Sequence, residues 1–232
     1  MVTKRKPRFF EEISSEKNFR MKKIVVLISG RGSNLQALLQ ANLPCQVAAV
    51  ISNRAEASGL QIAQQHSIRT EVIPHVEYAN RSAFDTALAA AIDKYQPDLI
   101  VLAGFMRILT PQFVTRYQGK LINIHPSLLP AYSGLDTHAR ALHDGVKIHG
   151  CTVHFVTHDV DYGPIIIQAA VPVLRNDTAA TLAERVLLQE HRIYPQAINW
   201  FCNDRLSLTA EGKVLLKRFE QPGHALVMPG LE

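Results

Sequence analysis

The chain has 232 residues, an apolar fraction of 47% and a formal net charge of +5. This length and apolar content suffice for one domain, or two small ones, with a sizeable buried core. The longest obvious apolar run, residues 99–106, is far shorter than the roughly 18 residues that indicate a membrane span. The composition therefore predicts a soluble globular protein.

Cysteine and histidine usage argues against disulfides and against a metal site. Cys45, Cys151 and Cys202 are odd in number, far apart and not in a metal-ligand spacing, which favours a reduced cytoplasmic protein. His154 and His158 are four residues apart, but their segment has the pattern of a strand followed by a loop. We therefore expect no metal.

The first 20 residues differ from the rest of the chain. They carry six basic and three acidic side chains, so they contribute +3 of the total charge of +5. We expect residues 1–20 to be a basic, disordered N-terminal extension, and a folded part to begin at residue 21. The remaining net charge of +2, on residues 21–232, argues against nucleic-acid binding by the folded part.

The first predicted strand ends in a glycine-rich turn. Residues 23–29 are a continuous apolar run typical of a strand buried on both faces, and Gly-Arg-Gly-Ser-Asn follows at 30–34. Leu35 and the leucines after it mark a helix that Ser33 or Asn34 is predicted to cap. Backbone N–H groups and the helix dipole would then face an anion.

The anion is expected to be a monophosphate and not a dinucleotide. The dinucleotide fingerprint requires a third glycine where this chain has Leu35. It also requires an acidic residue after the second strand, predicted at 46–52, where Asn53 and Arg54 stand instead. Both signals for NAD are missing.

Strands and helices continue to alternate, which predicts an α/β fold with a doubly wound, mostly parallel sheet whose ligands bind beyond the strands' carboxyl ends. Strands 148–156 and 164–173 are predicted to be antiparallel because their connection is short. The other predicted elements are helices at 58–66, 82–95, 110–117, 137–142 and from Asp177-Thr178 to Trp200, strands at 69–73 and 99–103, and short alternating pieces after Leu206.

Three side chains form a candidate catalytic group. Asn123 and His125 close an apolar strand on one face, and Asp161 stands in a polar loop that the fold could carry back over them. An imidazolium and an amide can donate hydrogen bonds to an oxyanion, while the carboxylate stabilises the imidazolium and removes a proton directly or through water. Neither Ser127 nor Cys151 is arranged as an obvious nucleophile, so direct transfer of a carbonyl group to an amine is favoured.

Five motifs resemble the phosphoribosylglycinamide formyltransferases, which have a Rossmann-like fold. Asn-Ile-His-Pro-Ser-Leu-Leu-Pro is typical of the wider formyltransferase superfamily, while Gly-x-Gly-Ser-Asn and Gln-Glu-His narrow the resemblance to this family. The motifs lie at residues 24–39, 101–109, 123–130, 150–156 and 189–191, and the resemblance covers most of the chain from 22 to about 206.

The resemblance implies transfer of the formyl group from 10-formyltetrahydrofolate, as co-substrate, to the amine of 5′-phosphoribosylglycinamide in purine biosynthesis. It implies that Gly32, Ser33 and Asn34 hold the phosphate and Glu190 the ribose hydroxyls. It makes His125 the acid, with Asn123 sharing the oxyanion and Asp161 relaying protons. The implied folate contacts are Arg81, Met106, Arg107, Ile108, Leu109, Asn123, Thr157, His158, Asp159, Val160 and Asp161.

The chain departs from the family pattern near the implied site. Tyr162 stands where a small residue is usual, and because a bulky residue resists positive φ, the folate loop is expected to differ in shape. Asp136 replaces a histidine, and Arg31 replaces a small or polar residue where it could contact the phosphate.

The resemblance predicts one formyltransferase domain over 21–232, with a phosphate-binding half at 21–120, a catalytic and folate-binding half at 121–205 and a tail at 206–232. The nearest alternative is a formyltetrahydrofolate deformylase, which normally carries an extra N-terminal domain. A transferase acting on initiator tRNA would need a further C-terminal domain, and a non-catalytic nucleotide-binding module would not need the catalytic group. We expect only small-molecule partners, no nucleic acid or membrane, and a monomer or homodimer.

Overall fold

A computed structural model describes residues 20–209 and 211–218, in which nine strands and six α-helices are present. The strands are β1 (Lys22–Ile28), β2 (Cys45–Ser52), β3 (Thr70–Val72), β4 (Leu99–Leu102), β5 (Leu121–His125), β6 (Ile148–Phe155), β7 (Ile165–Pro172), β8 (Leu206–Leu208) and β9 (Val214–Leu216). The helices are α1 (Ser33–Gln40), α2 (Gly59–Gln65), α3 (Arg81–Asp93), α4 (Pro111–Arg116), α5 (Thr137–His143) and α6 (Ala179–Cys202), and a 3-10 turn covers His75–Glu77.

The central sheet has seven strands in the order β3-β2-β1-β4-β5-β6-β7. Strands β1 to β5 are parallel, whereas β6 runs antiparallel to β5 and β7 antiparallel to β6. The predicted α/β, mostly parallel sheet and its antiparallel final pair are confirmed. The strand order reverses between β1 and β4, so a crevice opens beyond their carboxyl ends, where ligands of such sheets bind.

Helices cover both faces of the sheet, which explains the unbroken apolar run of β1. Alternate residues point to opposite faces of a strand. Ile24, Val26 and Ile28 are buried in one core with residues of α1 and α6, and Val25 and Leu27 are buried in the other with residues of α3 and α4. A polar residue in the middle of β1 would therefore enter one of the two cores.

Helix α6 is the longest of the described helices and packs on α1, β6 and β7. Thr178 caps it, and a reciprocal capping box joins Thr178 to Thr181, which confirms the predicted start. Near its far end the fully buried Tyr194 donates its hydroxyl to the carbonyl oxygen of Leu102 at 2.8 Å. This bond joins the helix to the end of β4, close to the crevice.

We expect Tyr194→Phe to lower the free energy of unfolding by about 1–2 kcal/mol, because the carbonyl of Leu102 would remain buried without its donor. Urea denaturation at neutral pH would measure the loss. Tyr78→Phe, in a half-buried ring that packs against Phe84, is a suitable control. Equal stability of Tyr194→Phe and the parent chain would contradict the prediction.

Three details differ from the sequence-based predictions or extend them. The N-cap of α1 is Gly32, with no side-chain cap, so the predicted capping by Ser33 or Asn34 is wrong. The residues after Leu206 form a hairpin of β8 and β9. The proposed extension at 1–20 lies outside the described residues except for Arg20, whose guanidinium pairs with Asp98 at 2.6 Å.

No helix in the described ranges is both long enough and apolar enough to cross a membrane.

Candidate active site

The end of β5 and the loop after β6 bring the three predicted catalytic side chains together. Nδ1 of His125 lies 3.4 Å from Oδ2 of Asp161, and both side chains are largely buried. Asn123 lies two residues before His125 on the same strand and is half-buried. The structure therefore assembles an amide, an imidazole and a carboxylate at the carboxyl edge of the sheet.

His154 of β6 orients Asn123. The two residues are directly opposite each other in the antiparallel pair of β5 and β6. Nδ1 of His154 lies 2.9 Å from the carbonyl oxygen of Phe155, which can only accept, so this nitrogen carries the proton. In the neutral ring Nε2 is then an acceptor for Nδ2 of Asn123, at 3.3 Å. One amide hydrogen of Asn123 is used, and the other is free to bind an oxyanion.

The backbone of the loop before α5 holds both His125 and Asp161. Nε2 of His125 donates to the carbonyl oxygen of Tyr132 at 3.0 Å, and the N–H of Gly134 donates to Oδ2 of Asp161 at 2.9 Å. With a carbonyl at Nε2 and a carboxylate near Nδ1, only the imidazolium can donate at both nitrogens. The carbonyl of Tyr132 thus holds a proton on Nε2, and Nδ1 faces the carboxylate of Asp161.

Other histidines near the site are biased toward the neutral form. Burial lowers the pKa of His149 to about 4, and the nearby His138 adds to this effect. Burial and the charge of His125 lower the pKa of His138. Burial also lowers the pKa of His154, although its bond to the Phe155 carbonyl and the charge of Asp161 oppose this shift. Of these four histidines, His125 lies nearest to the carboxylate of Asp161, at 3.4 Å against 3.8 Å for Nε2 of His154.

The predicted anion site is formed by the turn between β1 and α1. Gly32 has left-handed backbone (φ 78°), and a Cβ there would lie 2.6 Å from Cα of Gly59. Only glycine fits this close approach. Because Gly32 provides no side-chain cap, the first N–H groups of α1 are available to a ligand.

Asn34 and Glu190 join this turn to α6. Nδ2 of Asn34 donates to Oε2 of Glu190 at 2.7 Å, and both side chains are buried. Burial raises the pKa of Glu190, while the bond from Asn34 opposes the rise. Oδ1 of Asn34 has no partner within the described residues. A buried acceptor in this position is available to a polar ligand.

A cavity of about 350 Å³ lies beside this pair, between the glycine turn and helices α5 and α6. Its lining includes Arg31, Pro126, His138, Glu184, Leu187 and Glu190. The lining thus includes Arg31 next to the glycine turn, the predicted ribose residue Glu190, and Pro126, which directly follows His125.

The segment 106–109 follows β4 and is bonded to the end of β1, next to the anion turn. Oγ of Ser29, just after β1, accepts the backbone N–H of Met106 at 2.7 Å. The side chains of Met106 and Ile108 are exposed and Leu109 is buried, while the guanidinium of Arg107 stacks over Phe84 of α3 at 5.8 Å. An apolar surface with a cation beside it is suited to a flat heterocycle.

Arg81 and residues 157–160 are the remaining predicted folate contacts. Arg81 is an exposed residue in the first turn of α3, one turn before Asp85, which accepts the N–H of Thr110 at 2.6 Å. His158 bonds Thr115 of α4 at 3.0 Å, and Oγ1 of Thr157 donates to the carbonyl of Asp159 at 3.3 Å. Val160 is exposed. None of these contacts involves the catalytic side chains.

Tyr162 itself does not have left-handed backbone, and the altered shape of its loop stays a prediction. The residue with left-handed backbone is Asp161 (φ 56°), while Tyr162 is 73% exposed. Asp is one of the residues that adopt this conformation at low cost. The tyrosine side chain can therefore point into solvent without straining the turn that carries Asp161.

Sequence reasoning did not find the backbone groups of Tyr132 and Gly134 or the role of His154 toward Asn123. A backbone donor or acceptor leaves no signal in residue identity. The pairing of His154 with Asn123 depends on the register of β5 and β6, which the sequence does not specify. Within residues 20–209 and 211–218, no group of three or more His, Cys, Asp or Glu side chains is arranged to hold a metal ion.

Fold and site together define a formyltransferase, and the chain belongs to the formyl transferase family, whose sequence model matches residues 22–198. Within that family it belongs with the phosphoribosylglycinamide formyltransferases. It is 51% identical to the Escherichia coli phosphoribosylglycinamide formyltransferase over 80% of this chain and 89% of that protein. It is 49% identical to the human trifunctional purine biosynthetic protein adenosine-3 over 83% of this chain, but only 19% of that longer protein.

Solved structures agree with this assignment. The phosphoribosylglycinamide formyltransferase of Coxiella burnetii is 51% identical and superposes with a TM-score of 0.81, covering 85% of this chain and 94% of that one. A formyltetrahydrofolate deformylase from Pseudomonas syringae has a TM-score of 0.79 at 29% identity, covering 85% of this chain and 66% of that one. The two enzymes share the fold, and sequence identity favours the transferase.

Proposed function

We propose that this chain transfers the formyl group of 10-formyltetrahydrofolate to the amine of 5′-phosphoribosylglycinamide, giving formylglycinamide ribonucleotide and tetrahydrofolate in purine biosynthesis. The observation that carries the proposal is the approach of His125 to Asp161 at 3.4 Å, beside Asn123 and next to a free anion turn. Family membership supports the same reaction. We further propose a cytoplasmic location, and a monomer or homodimer as the working form.

The proposed reaction proceeds by direct attack. The substrate amine attacks the formyl carbon, and the formyl oxygen receives the electron pair and becomes an oxyanion. The free amide hydrogen of Asn123 and the N–H at Nδ1 of His125 donate to that oxygen. Asp161 accepts the proton lost by the amine, directly or through water. The oxyanion then re-forms the carbonyl as the carbon–N10 bond breaks, and N10 of the folate receives the proton that Asp161 took from the amine, directly or through water.

The proposed binding of the ribonucleotide uses both sides of the cavity. Its phosphate would accept the N–H groups of Ser33 and Asn34 at the uncapped start of α1, close to Gly32. Its ribose hydroxyls would donate to Glu190. The amine would then extend past Pro126 toward His125. The lining of the cavity, which includes both Glu190 and Pro126, supports this path.

The proposed folate site is the opposite wall of the crevice. Its pterin and benzoyl rings would pack on residues 106–109, and the loop 157–161 would cover the reacting end. Arg81, at the rim, would face the acidic tail of the folate. The exposed apolar side chains of Met106, Ile108 and Val160 support an aromatic ligand here.

The test measures tetrahydrofolate release from 10-formyltetrahydrofolate by purified protein, with and without the ribonucleotide, and identifies the product by mass spectrometry. Release that needs the ribonucleotide and yields its formyl derivative would establish the transferase. Release of free formate without the ribonucleotide would establish a deformylase instead. Absence of release in both conditions would overturn the proposed activity.

Arg31 offers a prediction within this proposal. Its exposed guanidinium lines the cavity at the phosphate end, so Arg31→Gln is expected to raise the KM for the ribonucleotide about fivefold, with kcat changed by less than about twofold. Steady-state kinetics would measure both constants. Arg69→Gln is the control. It makes the same change of charge at an exposed residue just before β3, the outermost strand on one side of the sheet. Equal KM values for the two variants would contradict the prediction.

A further inference from the structure

Four consecutive residues before α5, Tyr132 to Leu135, wrap around the catalytic pair, and we call them the bracket. The carbonyl of Tyr132 accepts Nε2–H of His125 at 3.0 Å, and the N–H of Gly134 donates to Asp161 at 2.9 Å. A backbone acceptor and a backbone donor, two residues apart, thus bind the imidazole of His125 at the end of β5 and the carboxylate of Asp161 in the loop after β6. The geometry of the catalytic pair depends on the conformation of the bracket.

The bracket's backbone conformation has an energetic cost. Tyr132 (φ 56°), Gly134 (φ 78°) and Asp136 (φ 57°) are left-handed, at every second position. A bulky non-glycine residue such as Tyr132 adopts this conformation only when surrounding contacts impose it. Contacts outside the catalytic pair must therefore hold the bracket.

Arg140 of α5 provides the main contact of this kind. Its Nη1 donates to the carbonyl of Ser133 at 2.6 Å and to the carbonyl of Leu135 at 3.3 Å. Its guanidinium also stacks over the ring of Tyr132, 5.5 Å from the centroid. The two carbonyls bound by Arg140 alternate with the two groups that hold His125 and Asp161, so every residue of the bracket has a partner.

A guanidinium suits this task because it is always charged and donates in a fixed plane. Arg140 itself is anchored on helix α5, where its backbone N–H bonds the carbonyl of Asp136 at 3.0 Å. Its side chain is exposed and does not belong to either hydrophobic core. Loss of the guanidinium should therefore release the bracket without unfolding the domain.

We propose that Arg140 is a positioning residue for formyl transfer. It fixes the bracket so that the carbonyl of Tyr132 holds one N–H of the His125 ring, at Nε2, and the other ring nitrogen, Nδ1, is directed toward Asp161 and the reacting oxygen. Arg140 does not touch the reacting atoms. The effect on turnover rests on the proposed function, whereas the effect on the ring of His125 is a property of the free protein.

The first test is kinetic. Arg140→Gln is expected to lower kcat by about tenfold to a hundredfold, as small displacements of catalytic groups do, with both KM values changed by less than about twofold. Arg140→Lys, which can still donate to one carbonyl, should recover part of the loss. Arg192→Gln, an exposed arginine of α6 that bonds only the side chain of Gln189 among the described residues, is the matched control. Parent-like kcat in Arg140→Gln, or a loss equalled by the control, would overturn the proposal.

The second test needs no substrate. Long-range ¹H–¹⁵N spectra of the free protein report the protonation of each histidine nitrogen, and the signals of His125 are assigned by their absence in His125→Ala. We expect a single, fixed pattern with Nε2 protonated in the parent chain and averaged nitrogen shifts in Arg140→Gln. Unchanged His125 signals in Arg140→Gln would overturn the proposal even where the transferase activity itself is established.

Discussion

His125→Ala is expected to lower kcat by about 10²–10⁴-fold, the usual contribution of a general acid. In the proposed mechanism the imidazolium of His125 is the charged donor to the developing oxyanion, and the neighbouring histidines are biased toward the neutral form. The anion turn lies on a different loop, between β1 and α1, so affinity for the ribonucleotide should persist. Single-turnover kinetics and calorimetric titration with the ribonucleotide would measure the two effects separately.

A control variant and a stability measurement are needed to attribute the loss of kcat in His125→Ala to the missing imidazole. His143→Ala removes an exposed histidine from the last turn of α5 and should leave kcat unchanged. Because His125 is buried, its removal also leaves a cavity, so thermal unfolding must show that the variant is folded at the assay temperature. Near-normal turnover of folded His125→Ala would remove this residue from the mechanism.

Asp161→Asn is expected to lower kcat by about 10²–10³-fold, because it removes the carboxylate that we propose stabilises the imidazolium and accepts the amine proton. Asparagine tolerates the left-handed backbone at this position (φ 56°), and its carbonyl oxygen can still accept the N–H of Gly134. The substitution therefore isolates the charge. Asp161→Ala is expected to lose as much activity, but it also strains the backbone and removes the hydrogen-bond acceptor.

Kinetics across a pH series, with and without small added carboxylates, would check whether Asp161 accepts the proton. A variant that lacks only the proton acceptor should recover part of its rate when small carboxylates such as formate or acetate are added in the assay. Asp204→Asn, an exposed carboxylate that pairs with Lys22, gives the matched change of charge outside the site. Full activity of Asp161→Asn would show that the approach of this carboxylate to His125 has no catalytic role.

Local sequence patterns correctly predicted most of the fold. The unbroken apolar run of β1 requires burial on both faces, and the glycine turn followed by a leucine pattern requires a strand, a tight turn and a helix in that order. Thr110 and Thr178 stand at the predicted helix starts and cap their helices, because an N-cap hydroxyl has a local partner three residues away. Such features depend on neighbours in the sequence and are readable from it.

The N-cap of α1 shows where this reasoning fails. Ser33 and Asn34 are good capping residues by type, yet Gly32 occupies the N-cap, because its Cα packs against Gly59 of a distant helix. Contacts between segments far apart in the chain override local preference.

By itself the sequence determined the residue types of the chemistry: an amide and an imidazole at a strand end, a carboxylate in a later loop and a glycine turn for an anion. Only the tertiary structure decided that His125 and Asp161 approach to 3.4 Å, that His154 orients Asn123, and that the bracket holds the catalytic pair through backbone groups. The physical reason is that side-chain identity is written in the sequence, whereas backbone donors and acceptors are the same in every residue, apart from proline's missing N–H. These backbone groups acquire a specific role only when the fold places them next to a particular side chain.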